Sequence, residues 1–269
     1  MRIALIALTR AVPPSLARCE LTHIAREPID WRRARDQHEA YEGVLRSLGC
    51  SVLRLPALAE HPDSVFVEDA AVVLDECAVI TRPGAQSRRG EVASVAEALR
   101  AFRELRYIQA PATLDGGDVL RVGKRLYVGL STRTTADGAR ELADAVAPYG
   151  YRVDCVTARD CLHLKTAVSA LPDGRLLLDP SKVDGGAFGG APGIAIHPEE
   201  HEGANVLFVN ETVVCPASAP RTREALEENG YAVASVDASE LAKAEGGLTC
   251  CSLLVSVRQQ DDRRDSSPR

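Results

Sequence analysis

A recurring unit of hairpin, helix and strand constrains this chain more than any other feature. Hairpin signals pair Val65–Leu74 with Cys77–Thr81, and Asp118–Val122 with Arg125–Val128 across Gly123-Lys124. They return as Leu164–Ala170 with Arg175–Leu178 around Pro172-Asp-Gly174, and as Asn205–Val209 with Thr212–Cys215 around Asn210-Glu211. Helix-then-strand patterns follow at Glu91–Leu105 into Tyr107-Ile-Gln, Thr135–Tyr149 into Tyr151–Val156, and Arg221–Asn229 into Tyr231–Val236. Polar residues mark the hairpin entries: Glu68, Asp115, His163, Asn205 and Cys250, separated by 47, 48, 42 and 45 residues. A period of this size points to stacked or radial repetition. The last strand, after Gly246-Gly247, lacks a helix and a partner of its own. The amino-terminal strand Arg2–Leu8, the helix Trp31–Leu48 and the strand Cys50–Pro56 supply them and close a ring of five modules. The competing reading is a generic α/β sandwich with accidental spacing. Against it stands the character of the entry residues, which include a carboxylate, a histidine and a cysteine.

Composition excludes several classes. With 269 residues, 45% apolar and 26% charged, the chain is an ordinary globular protein, long enough for a well-buried core. A formal charge of -6 offers no basic footprint for nucleic acid. No run of eighteen apolar residues occurs, so no transmembrane helix is expected. The start, Met1–Arg10, lacks the long apolar core of a signal peptide, and the chain is read as cytoplasmic with its eight cysteines reduced. Cys155, Cys161 and His163 lack the paired spacing of a zinc site, so no metal is expected. Ser181–Gly203, rich in Gly and Pro, reads as a flexible rim loop, and 258–269 as a frayed polar tail beyond one catalytic domain over 1–257.

Cys250, His163 and Asp115 have the parts of a nucleophile, a proton shuttle and an orienting acid. Radial symmetry would bring such entry positions together at the axis. Taken alone, a cysteine pair more often packs in a core. Read as a strand, Cys250 and Cys251 point to opposite faces, so at most one of them faces a pocket. Of six histidines only His163 falls in phase with the repeat. Asp118, the rival of Asp115, reads as a turn or cap carboxylate. Asp63, Glu68 and Asp69 interrupt or flank an apolar run, and buried carboxylates call for a cation or mark a strand end facing water. A guanidinium, with donors fixed in a plane, would suit them. Arg88 and Arg133 stand in loops, where arginine either holds a carboxylate or is solvated.

These residues resemble motifs of the dimethylarginine dimethylaminohydrolase family of the guanidine-modifying (pentein) superfamily. The motifs are Asp63-Ser-Val-Phe-Val-Glu-Asp69, Ile80-Thr-Arg-Pro-Gly84 with Ser87-Arg-Arg89, Thr113-Leu-Asp-Gly-Gly-Asp-Val-Leu120, Val128-Gly-Leu-Ser-Thr-Arg-Thr134, Leu162-His-Leu-Lys165 and Gly247-Leu-Thr-Cys-Cys-Ser252. The resemblance runs from residue 1 to about 257. It implies an α/β fold, a five-bladed α/β propeller of ββαβ modules with the site on its axis. It implies Cys250 as nucleophile, His163 in proton transfer and Asp115 orienting it, with no cofactor. Asp63, Glu68 and Asp69 would hold the guanidinium and α-amino ends of a small cationic amino acid, and Arg88 and Arg133 its α-carboxylate. Leu21 would be a lid contact and Ala244 a further substrate contact, although Ala244 and Glu245 depart from mammalian-like members. The activity implied is hydrolysis of Nω-methylated arginines to citrulline, by a monomer or homodimer. A deiminase acting on arginine or another guanidine is the rival enzyme. A non-catalytic propeller that binds a macromolecule is the rival of another class, and it predicts loss of the cysteine and histidine present here.

Overall fold

The computed structural model describes residues 3–258. In chain order the elements are β1 (Ile3–Arg10), α1 (Trp31–Ser47), β2 (Cys50–Leu55), β3 (Ala71–Val73), β4 (Cys77–Ile80), α2 (Val92–Arg100) and β5 (Glu104–Tyr107). Then come β6 (Val119–Val122), β7 (Arg125–Gly129), α3 (Ala136–Val146), β8 (Arg152–Val156), α4 (Leu164–Ala167), β9 (Val168–Ala170), β10 (Leu176–Leu178) and β11 (Gly193–Ala195). The last are β12 (Leu207–Val209), β13 (Thr212–Pro216), α5 (Pro220–Glu228), β14 (Ala232–Val236), α6 (Ser239–Ala242) and β15 (Leu253–Arg258). They make five three-stranded sheets: β15-β1-β2, β3-β4-β5, β6-β7-β8, β9-β10-β11 and β12-β13-β14. In each, the middle strand pairs antiparallel with one neighbour and parallel with the other. The parallel strand returns through a crossover, which in four modules is an α-helix. The first and last strands, β1 and β15, meet in one sheet, with Ile3 opposite Arg258.

Local sequence explains the elements. The Asp30 carboxylate accepts the N–H groups of Arg32 and Arg33 and so starts α1. Gly49 and Gly230 follow α1 and α5 with φ of 89° and 88°, left-handed positions that favour glycine. Asn210 and Glu211 turn β12 into β13 with positive φ at both residues, as a tight hairpin requires. Five apolar clusters fill the spaces between successive modules. Leu171, Leu177 and Val213 lie between the fourth and fifth, while Ala7, Leu45, Val214 and Val236 join the fifth back to the first. Burying each leucine of this kind contributes roughly 1.5–3 kcal/mol, so the ring is closed by packing as well as by strands. Among the described residues no helix is long and apolar enough to cross a membrane.

The structure corrects the sequence reading in four places. The segment Ser181–Gly203 is not a loose loop: it carries a 3-10 turn at Gly185–Phe188, with Phe188 buried, and then β11, the third strand of the fourth sheet. A turn replaces the usual helix there, so no apolar periodicity was visible. Leu105 belongs to β5 rather than to the preceding helix, which ends at Arg100. Arg258 belongs to β15; the rest of the expected tail lies outside the described residues. Finally, the hairpin entries are helical turns before the strands begin. Val67–Ala70, Gly116–Asp118, Leu164–Ala167, His201–Ala204 and Thr249–Cys251 each form one.

Those five turns surround the axis and bond to one another. Gly117 N–H donates to Asp69 Oδ1 at 2.8 Å, and Leu164 N–H to Asp118 Oδ1 at 3.0 Å. Asn205 Nδ2 donates to the Lys165 carbonyl at 2.8 Å, and Thr249 N–H to Asn205 Oδ1 at 3.0 Å. Thr249 Oγ1 donates to Glu68 Oε2 at 2.7 Å, completing the circuit through all five modules.

Candidate active site

A small cavity opens over this circuit. Cys250 and His163 line it, with Asp63, Asp69, Arg88, Arg133 and Ala244. Asp115 lies directly behind His163, fully buried. Glu68 and Leu21 do not line the cavity. Leu21 packs against the apolar cluster of the first module. A larger cavity lies across the Glu245–Gly247 segment and is lined by none of Cys250, His163 and Asp69.

His163 immediately precedes α4, and its ring is gripped from both sides. Its Nε2 meets Asp115 Oδ2 at 3.0 Å, while its Nδ1 faces Asp69 Oδ1 at 3.8 Å. Asp115 is fixed in turn by Gly84 N–H on its other oxygen, at 2.9 Å. Burial is the largest influence on His163 and favours the neutral ring. Asp69, the Asp115 hydrogen bond and Asp118 outweigh it and raise the pKa to about 9. The imidazolium is therefore the resting form at neutral pH, and the proton on Nδ1 is the one not committed to Asp115.

Cys250 sits in the 3-10 turn Thr249–Cys251, not in a strand as its sequence suggested. The turn still separates the two thiols. Cys250 is half-buried at the cavity, while Cys251 is buried with Sγ 3.5 Å from the Gly247 carbonyl. The Cys250 Sγ accepts the Gly247 N–H at 3.4 Å. Burial, then the charges of Glu68 and Asp69, push its pKa up to about 12, against the opposing pull of Gly247 N–H and Lys165. At rest it is a neutral thiol.

The acids differ in what holds them. Asp69 Oδ2 pairs with Arg88 Nη1 at 2.5 Å, and His163, Arg88 and Gly117 N–H keep its carboxyl below the usual range despite burial. Glu68 is turned away: Lys165 Nζ holds one oxygen at 2.5 Å and Thr249 the other. Burial nonetheless raises its pKa. Asp63 accepts Glu20 N–H at 3.2 Å. Asp118 accepts Ser131 Oγ and the Leu164 N–H that opens α4, a cap to a neighbouring module. Asp69, Asp115 and His163 place ligand atoms within 4.8 Å of one another, a spacing a metal ion could span. The Asp69 and Asp115 oxygens, however, already accept hydrogen bonds or an ion pair from Arg88, Gly117, Gly84 and His163.

The two arginines are also unlike. Arg88 spends its donors on Glu91, Asp69 and the carbonyls of Asp63 and Phe66. The Arg133 guanidinium makes only long polar contacts, to Glu20 Oε2 at 3.4 Å and Thr22 Oγ1 at 3.5 Å. Several contributors are not among the residues to which the sequence assigns a functional role. Asn205 is in phase with the repeat and Lys165 closes the motif Leu162-His-Leu-Lys165, and their spacing could have flagged them. Glu20, Glu91 and Glu245 stand outside the repeat. Glu245 accepts three consecutive backbone N–H groups from Thr22, His23 and Ile24, pinning the segment beside the cavity.

Five hairpin-crossover modules around a bonded axis define the pentein class of α/β propellers. The family model for eukaryotic N,N dimethylarginine dimethylhydrolase matches residues 23–168. An N(G),N(G)-dimethylarginine dimethylaminohydrolase of Streptomyces coelicolor is 42% identical over 248 residues, 92% of this chain and 95% of the relative. A protein of the same name from Pseudomonas aeruginosa is 40% identical, over 83% of this chain and 89% of its own. A solved structure of a Pseudomonas aeruginosa DDAH, a cysteine-to-serine variant complexed with citrulline, has a TM-score of 0.87. It is 37% identical and covers 92% of this chain and 98% of its own. A histidine-to-glycine variant captured as an adduct with S-methyl-L-thiocitrulline has a TM-score of 0.88, 38% identity and the same coverage. The chain belongs to the dimethylarginine dimethylaminohydrolase family.

Proposed function

We propose that this protein hydrolyses Nω-methylated arginines to citrulline and a methylamine through a covalent adduct on Cys250. The carrying observation is that Cys250 and His163, the latter held by Asp115, line one small cavity together with Asp63 and Asp69. The family and the citrulline complex of its relative support the substrate class.

The substrate guanidinium enters beside Asp69 and neutralises the acids that hold Cys250 protonated. The thiol releases its proton to solvent, because His163 already carries one. The thiolate attacks the guanidinium carbon, forming the C–S bond of a tetrahedral adduct. His163 passes the Nδ1 proton to the dimethylamine nitrogen, and the C–N bond breaks. An amidino adduct remains on sulfur. Neutral His163 takes a proton from water as its oxygen attacks the same carbon. The C–S bond then breaks, giving citrulline and restoring thiolate and imidazolium. Asp115 keeps the ring oriented throughout. Arg133 holds the substrate carboxylate. A reducing compartment such as the cytoplasm suits this chemistry, and all eight cysteines are unpaired in the structure.

The test is citrulline release from asymmetric dimethylarginine, monomethylarginine and arginine, measured side by side. The methylated substrates should be turned over with the higher kcat/KM. Faster turnover of arginine, or no citrulline from any of them, overturns the reading.

A further inference from the structure

Resting on that function, we infer that Glu20 is a tethered competitor for the substrate's α-carboxylate and sets the head-group selectivity of the site. The argument starts from which guanidinium has donors to give. Arg88 has at most one N–H left after Glu91, Asp69 and two carbonyls. Arg133 is the opposite case. Its side chain is only 10% exposed, lines the cavity, and makes no polar contact shorter than the 3.4 Å to Glu20. A guanidinium held so loosely is the natural seat for a ligand carboxylate.

Glu20 already occupies that seat. One carboxylate oxygen lies on Arg133 Nη2 and the other accepts the hydroxyl proton of Ser87. An arginine and a hydroxyl thus grip this side chain as they would grip an amino acid's carboxylate. The backbone of Glu20 is tied separately, through its N–H to Asp63 at 3.2 Å. Its side chain is 44% exposed. The carboxylate can therefore swing out to water while the backbone stays docked. Half-exposed ion pairs are weakly held, and a ligand carboxylate making two parallel bonds to Arg133 can displace this one.

The consequence is a selectivity effect. A substrate with an α-carboxylate must evict Glu20 before it reaches Arg133. A guanidine or ureide with only an amine at its head leaves the Glu20–Arg133 pair intact, and the second carboxylate favours its ammonium. Glu20 therefore narrows the preference for amino-acid heads over plain amines.

Equilibrium binding of two stable ligands tests this: citrulline, and 4-ureidobutylamine, which lacks the carboxylate. Calorimetry on the native protein, Glu20→Gln and Glu20→Ala gives the affinity ratio without turnover. In both variants citrulline should tighten by roughly three- to fivefold, the upper scale of one exposed ion pair. The ureidoamine should stay level or weaken. A ratio unchanged within about twofold in both variants, or weaker citrulline binding, overturns the inference. Citrulline release from dimethylarginine by the native protein is assayed in parallel. With that activity intact, an unchanged ratio sinks this inference alone; with it absent, the functional reading falls first.

Discussion

Cys250 is held in its less reactive, protonated form, and that follows from its neighbours. Burial and the charges of Glu68 and Asp69 hold the thiol neutral, with Asp63, which the sequence had grouped with them, not among the leading causes. A small neutral alkylating agent should label Cys250 slowly at pH 7, with an apparent pKa well above the ordinary value of 9.0. A cationic amidine bearing a leaving group should label it much faster at the same pH. Fast neutral labelling with a depressed apparent pKa would contradict this and indicate a resting thiolate–imidazolium pair. Cys250→Ser should lower kcat by at least about a thousandfold, while Cys251→Ser, whose hydroxyl inherits the Gly247 carbonyl, should keep most activity. His163 carries a stability consequence of defined sign. Its folded pKa, about 9, lies above the ordinary 6.5, so the imidazolium stabilises the fold fully below about pH 6.5 and the contribution fades as pH rises through about 9. The difference in unfolding free energy between native protein and His163→Gln should shrink over that window. A difference that grows with pH would refute the charged resting ring.

At the scale of elements, the helical turns before each hairpin do the positioning. Gly117 shows how tightly. A Cβ there would stand 2.7 Å from both Asp69 Oδ1 and His163 Nδ1, so the ring and its acid would have to move. Gly117→Ala should reduce kcat on the order of a hundredfold, the cost of about 1 Å of misplacement, with the fold retained by circular dichroism. Asn205→Ala removes three bonds joining the fourth, fifth and first modules. It should destabilise by about 1–3 kcal/mol in denaturant unfolding; a change below about 0.5 kcal/mol would mean the axial circuit is ornamental. The repeat made this level half legible. Its period marked Glu68, Asp115, His163, Asn205 and Cys250, and each lies in or beside an axial turn. It did not reveal the turns themselves, because three or four residues carry no helical periodicity. Nor did it reveal that Glu68 faces Lys165 and Thr249 while Asp69 faces the cavity, since adjacent residues on a tight turn are separated by tertiary contacts alone. Glu20 and Glu245 were illegible for a simpler reason: their partners are more than forty residues away and off the repeat.

At the scale of the molecule, five sheets share five apolar seams, and no module has a seam of its own to fall back on. The ring should therefore unfold as a unit. The single tryptophan, Trp31 on α1, reports the first module, and circular dichroism reports all five; their denaturation midpoints should coincide. Separate transitions would show that modules melt independently. The radial arrangement was readable from spacing, together with its closure by the amino-terminal strand, because closure demanded a partner for β15. The third strand of the fourth module was not, because its crossover lacks a helix. What the ring accomplishes is convergence: residues from distant modules reach one cavity, where the proposed function has a thiol, an imidazolium and acids act on a single carbon. The most direct measurement of that claim is the mass of the peptide containing Cys250 after acid quench during turnover of asymmetric dimethylarginine. The account predicts an added mass equal to the substrate cation less neutral dimethylamine, on Cys250 and on no other cysteine, disappearing when substrate is exhausted. Steady turnover with Cys250 unmodified at every time, or the adduct on Cys251, would contradict it.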